Sequence, residues 1–139
     1  MKSGTEWLVT LGKKMNVINS NNVTCFDVDD TLVIWPKDFR VDKPGRISFM
    51  YGGEQVYLEE HSYHTVFLKH CFNRGDHVIV WSANGVKWAQ NVVETLGLDP
   101  YVCTIMSKPT RHVDDKESVS SVAGSRVFIP HETYEKKNG

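Results

Sequence analysis

Val23-Thr24-Cys25-Phe26 is a short, mostly apolar run that follows polar Asn19 to Asn22 and stops abruptly in acid at Asp27. Such a run, bounded by polar punctuation, predicts a buried strand. Residues 36–45 are polar and broken by Pro36 and Pro44, which predicts a loop. Arg46–Tyr51 and Glu54–Glu60 flank Gly52-Gly53, a pair able to take positive φ at both positions of a two-residue hairpin turn. From Tyr63 to Phe72, Val66, Phe67, His70 and Cys71 recur at helical spacing, and Gly75 stands where a helix would close. Val78–Trp81 predicts a second buried strand, ending in Ser82-Ala83-Asn84-Gly85. A helix is expected next, with Val86, Ala89, Val92, Val93 and Leu96 on one face and Gly97 at its end. Tyr101–Met106 predicts a third strand, Arg111-His112-Val113 a stub before Asp114-Asp115, and Arg126–Ile129 a last strand. Strands that alternate with helices predict an α/β fold with a parallel sheet.

Composition narrows the classes without choosing among them. The 139 residues suit one domain, expected over residues 21–139 behind a flexible leader at 1–20. A formal net charge of -1 provides no global basic field, which argues against a dedicated nucleic-acid-binding surface. No apolar run approaches a membrane span, and the first fifteen residues do not read as a signal peptide. Three cysteines, Cys25, Cys71 and Cys103, each sit in an apolar stretch with no C-x-x-C spacing. Buried reduced thiols in a cytoplasmic protein are the expectation.

The chemistry gathers after the strands, where open parallel sheets place their sites. Asp27 and Asp29, Ser82, Lys108, and Asp114 with Asp115 each follow a predicted strand or stub. One acid after a strand is often only a turn or capping residue. Four chemically complementary groups at successive strand ends fit that explanation poorly. Hydrolysis of a phosphate ester through a covalent intermediate needs a carboxylate nucleophile and a cation that lets two anions meet. It also needs a carboxyl acid/base, and donors for the transferring oxygens. Asp27 suits the nucleophile, Asp29 the acid/base, and Asp114 with Asp115 the remaining hard oxygen ligands for Mg²⁺. Lys108 suits charge neutralisation, and Ser82, Ala83 and Asn84 suit phosphate binding at a helix start.

With these residues in order, the chain resembles the haloacid dehalogenase-like (HAD) superfamily. Its D-x-D-x-T motif is matched by Asp27-Val28-Asp29-Asp30-Thr31, its strand-ending Ser or Thr by Ser82, its Lys by Lys108 in Ser107-Lys108-Pro109, and its acidic pair by Asp114-Asp115. The resemblance spans roughly Val23 to Ile129. It implies a Rossmann-like open parallel sheet flanked by helices, an aspartyl phosphate on Asp27 and acid/base work by Asp29. It also implies Mg²⁺ held by the Asp27 carboxylate, the Asp29 backbone carbonyl and Asp114, with Asp115 in the same metal site. The chain departs from the family pattern in two places. Only Pro109 to Val113 separate Lys108 from Asp114, too few for a crossover between full parallel strands. A small hairpin flap over residues 33–62 stands in place of a large cap.

An open site suits a phosphorylated small molecule or a phosphopolymer end. The leading expectation is a Mg²⁺-dependent phosphomonoester hydrolase. A phosphatase for nucleotides or polynucleotide ends is the alternative within enzymes, and a non-catalytic phosphate- or nucleotide-binding module the alternative outside them. Trp35, Phe39, Phe49, Tyr51 and Tyr57 in the flap are read as packing the hairpin onto the core in preference to stacking on a base. His61, His64 and His112 form no H-x-x-x-H pair and are read as structural or surface residues, not zinc ligands. Lys37, Arg40, Lys43 and Arg46, interleaved with Asp38 and Asp42, read as a solvated face.

Overall fold

The computed structural model describes residues 22–113, 115, 127, 129 and 130. Within them lies a mixed α/β arrangement of two three-stranded sheets and two α-helices. The first sheet is parallel, in the order β1 (Val23–Phe26), β5 (His77–Ser82), β6 (Thr104–Ser107). Val78, Ile79 and Val80 of the central strand are buried in succession, as a strand covered on both faces requires. Phe26 pairs with Val80, and Ser82 pairs with Ser107. Therefore β5 runs two residues past β1, and Asp27, Ser82 and Lys108 emerge at the same carboxyl edge.

The second sheet is antiparallel, in the order β2 (Val33–Ile34), β4 (Glu54–Glu60), β3 (Ile47–Tyr51). Gly52 and Gly53 have φ of 59° and 79°, the turn geometry their lack of a Cβ permits. The flap is thus larger than the expected hairpin, because Val33 and Ile34 add a third strand against Glu60 and Glu59. Two residues at the end of an acidic turn gave no alternation from which to read a strand.

Helix α1 (Ser62–Asn73) and helix α2 (Val86–Thr95) stand where the spacing predicted; α2 buries most of the expected face with Trp88 in place of Val86, whereas α1 turns a different stripe inward. In α1 the buried residues are His64, Thr65, Leu68 and Cys71, while Val66 is 64% exposed. In α2 they are Trp88, Ala89, Val92 and Val93, while Val86 faces solvent. Polar side chains held by specific partners, and an indole four residues before Val92, set the faces. Both helices pack on the core of Phe26, Val28, Leu32, Phe49, Leu58 and Val80.

Three further expectations change. The Tyr101–Met106 segment divides into a 3-10 turn at Asp99–Tyr101, started by Pro100, and the shorter strand β6. Arg111, His112 and Val113 form no strand, and Val113 is 98% exposed, so among the described residues nothing anchors that stub to the sheet. Val127 and Ile129 are likewise outside any strand, while Arg126, Phe128, Asp114 and the leader at 1–20 lie outside the described residues. Cys71 is buried, but Cys25, a residue of the outer strand β1 that faces away from the core, and Cys103, just before β6, are exposed. All three thiols are free. Among the described residues no helix is long and apolar enough to cross a membrane.

Candidate functional site

The loop after β1 is built by its own backbone. Thr31, Leu32 and Val33 all donate their N–H groups to the Val28 carbonyl, and Asp30 N–H donates to Val33 O. Asp30 takes a left-handed φ of 58°, tolerated by a short polar side chain, and its Oδ1 accepts from the Trp35 N–H at 3.0 Å. This tight knot projects Asp27 and Asp29 from the carboxyl edge of the sheet.

Asp27 is half-buried, and Lys108 Nζ lies 3.9 Å from its Oδ1. Burial pushes its carboxyl above the usual carboxylate range, opposed by the Lys108 charge and by the Val28 N–H. Lys108 is placed by its backbone N–H, which donates to the Ser82 carbonyl at 2.9 Å. Ser82 itself is fully buried, and its Oγ accepts from the Asn84 N–H at 3.0 Å. That bond, with Gly85 N–H to Ser82 O, shapes the Ser82–Gly85 turn at the start of α2. Ala83 and Asn84 are exposed on it.

Asp29 is the most heavily bonded of the acids. Its Oδ1 accepts from Trp35 Nε1 at 2.7 Å and from Trp88 Nε1 at 3.1 Å. Its Oδ2 accepts from Asn84 Nδ2 at 2.7 Å. Trp35, Trp88, Tyr51, Phe39 and Phe49 meet edge to face or tilted, with Tyr51 5.1 Å from one indole and 5.0 Å from the other. Trp35, Phe49 and Tyr51 of the flap therefore pack on the core residue Trp88 of α2, in line with the expectation that flap aromatics pack the hairpin onto the core. Their link to Asp29 was not anticipated; the available signal was a Trp four residues before Val92 on the inward stripe of α2.

The sequence also undervalued His61 and His64. They are buried and stacked at 3.8 Å, with His61 capping α1 by accepting the His64 N–H on Nδ1. His64 Nδ1 donates to the Thr31 carbonyl at 2.8 Å, and its Nε2 accepts the Ile129 N–H at 3.0 Å. His61 Nε2 donates to the Ile129 carbonyl at 2.6 Å. The pair thus ties a late segment to the loop that carries Asp27 and Asp29. Each imidazole donates with one nitrogen and accepts with the other, a neutral arrangement that leaves neither set up as a zinc ligand. In the basic loop Lys37, Arg40, Asp42 and Lys43 are exposed, as expected of a solvated face, while Arg46 is largely buried against Asp38; Lys43 also pairs with Asp38, and Arg40 with Glu54. Together Lys43 and Arg46 lower the Asp38 carboxyl to about 2.

The structure brings Asp27 to Lys108, and Asp29 to the Ser82–Asn84 turn. Asp114 lies outside the described residues, and Asp115 is exposed. Among the described residues no three His, Cys, Asp or Glu side chains converge to hold a metal. What the described chain offers Mg²⁺ is the half-buried Asp27 carboxylate and the neighbouring loop carbonyls, hard oxygen donors of the type that ion takes. No family model matches the chain, and comparisons with curated proteins and with solved structures return no match.

Proposed function

We propose that the protein is a Mg²⁺-dependent phosphomonoester hydrolase of the HAD kind, acting through an aspartyl phosphate on Asp27. The observation that carries this reading is the meeting of Asp27, the Ser82–Gly85 turn and Lys108 at the carboxyl ends of three adjacent parallel strands, with Lys108 Nζ 3.9 Å from the Asp27 carboxylate. A half-buried carboxylate beside an ammonium group suits nucleophilic attack on an anionic ester better than it suits a surface ion pair.

Asp27 attacks phosphorus, and the bond to the leaving oxygen breaks. Lys108 neutralises the nucleophile and then the transferring oxygens. The Ala83 N–H and the Asn84 side-chain amide offer donors to the same oxygens, with Ser82 fixing their turn through the Asn84 N–H. Asp29 gives its proton to the leaving oxygen, then regains one from the water that cleaves the aspartyl phosphate. The Asp27 carboxylate, the Asp29 carbonyl and Asp114 with Asp115 would hold Mg²⁺, which would supply the positive charge that lets the two anions approach.

The test is phosphate release from an aryl phosphate with and without Mg²⁺. Wild type should release phosphate only with the metal, and Asp27→Asn should lose at least about a thousandfold in kcat, as removal of a nucleophile does. A wild type that binds phosphate analogues yet never turns over supports the non-catalytic binding module instead. The substrate class follows from the same assay run on alkyl phosphates, nucleotides and 5′- or 3′-phosphorylated oligonucleotides.

A further inference from the structure

The two indole N–H groups that converge on one oxygen of Asp29 are more than core hydrogen bonds. We propose that Trp35 and Trp88 are positioning residues for the acid/base, fastening Asp29 Oδ1 so that Oδ2 alone carries the proton. This rests on the phosphatase reading and names a device within that site.

The argument begins with a count of donors and acceptors. As it stands, Asp29 accepts from Trp35 and Trp88 on Oδ1 and from Asn84 on Oδ2, and all three partners can only donate through these atoms. The two indoles fill both lone pairs of Oδ1, whereas Asn84 fills only one of the two on Oδ2, so a carboxyl proton has its place on Oδ2.

Packing keeps the indoles on Oδ1. Trp88 is 7% exposed on α2, ringed by Phe49 and Tyr51. Trp35 is held through its backbone N–H to Asp30 and through ring contacts with Phe39, Tyr51 and Trp88. Moving either indole would break aromatic contacts between the flap and α2. Asn84 is exposed on the turn, and its side chain can swing at the cost of one hydrogen bond. It also occupies the turn that the proposed mechanism assigns to phosphate.

The sequence of events then closes on itself. Solvent delivers a proton to the open lone pair of Oδ2. As the Asp27–phosphorus bond forms and the ester bond breaks, that proton passes to the leaving oxygen. Water attacks the aspartyl phosphate and returns a proton to Oδ2. Product phosphate departs, and Asp29 is left protonated for the next turnover. Oδ1 stays fixed by the indoles throughout, which holds Oδ2 at one place beside the leaving group.

The test is the dependence of kcat/KM on the leaving group in wild type, Trp35→Phe and Trp88→Phe, with thermal melts as a check on folding. Nitrophenolate departs without a proton, whereas an alkoxide does not. The proposal expects kcat/KM to fall roughly tenfold or more for alkyl phosphates and less than about threefold for nitrophenyl phosphate. If Trp88→Phe does not fold, benzothienylalanine at position 88 keeps the bicyclic shape and removes only the N–H, and the same split is expected. Equal losses on both substrates, or no loss, overturn the proposal while leaving the phosphatase reading intact. A wild type with no Mg²⁺-dependent turnover on any ester removes both.

Discussion

Asp27 sits where a carboxylate is uncomfortable. Its burial raises the carboxyl above the ordinary range, and Lys108 at 3.9 Å offsets only part of that cost. A group whose pKa is higher folded than unfolded favours the fold while protonated. That contribution disappears as pH rises through the folded value, so at neutral pH the ionised Asp27 destabilises the metal-free protein. Asp27→Asn should therefore melt higher than wild type at pH 7 in a chelator, with the gap closing as pH falls below the ordinary carboxylate range, about 4. A variant that melts lower at pH 7 would show that the Lys108 contact outweighs burial. The residue identities at this site were legible in the sequence because each is a polar group directly after an apolar run. The partners of Asp29 were not. Trp35 and Trp88 lie 6 and 59 positions away from it, and which direction an indole N–H points is set only when the flap closes on α2.

The elements themselves were read well wherever the pattern was long. The β3–β4 hairpin and both helices stand where alternation, Gly52-Gly53 and helical spacing placed them. Short elements and faces were less legible. A two-residue β2 leaves no period to detect, and Val66 and Val86 looked inward by type but face solvent. One tie between elements escaped notice because it is polar. Asp76, on the turn between α1 and β5, is 4% exposed and accepts from Thr24 Oγ1 of β1 at 2.9 Å and from Arg74 at 2.8 and 3.0 Å. Arg74, then Thr24, hold its carboxyl below the ordinary range despite the opposing effect of burial. Its stabilising effect is thus present above the unfolded carboxylate pKa and is lost as pH falls through the lower folded value. Asp76→Ala should cost about 1–3 kcal/mol at pH 7, read by urea unfolding, because Thr24 loses its buried acceptor and Arg74 its partner. The difference from wild type should shrink in acid. An unchanged unfolding midpoint at pH 7 would mean that β1 is held to the fold by its ladder with β5 alone.

Across the whole molecule, three lines of contact converge on the loop after β1. The parallel sheet brings Lys108 and the Ser82 turn to Asp27. The flap and α2 bring Trp35 and Trp88 to Asp29. His61 and His64 bring the Ile129 backbone to Thr31. A loop that needed only to connect β1 to β2 would require none of these. The claim they support is that Asp27 attacks phosphorus, and it is tested most directly by trapping the intermediate. Wild type mixed with Mg²⁺ and an aryl phosphate, quenched rapidly in acid and weighed by mass spectrometry, should carry a phosphoryl group on the peptide that contains Asp27. The adduct should vanish in a chelator and in Asp27→Asn. Turnover by Asp27→Asn, or wild-type turnover with the phosphoryl group trapped on another residue, would contradict the account.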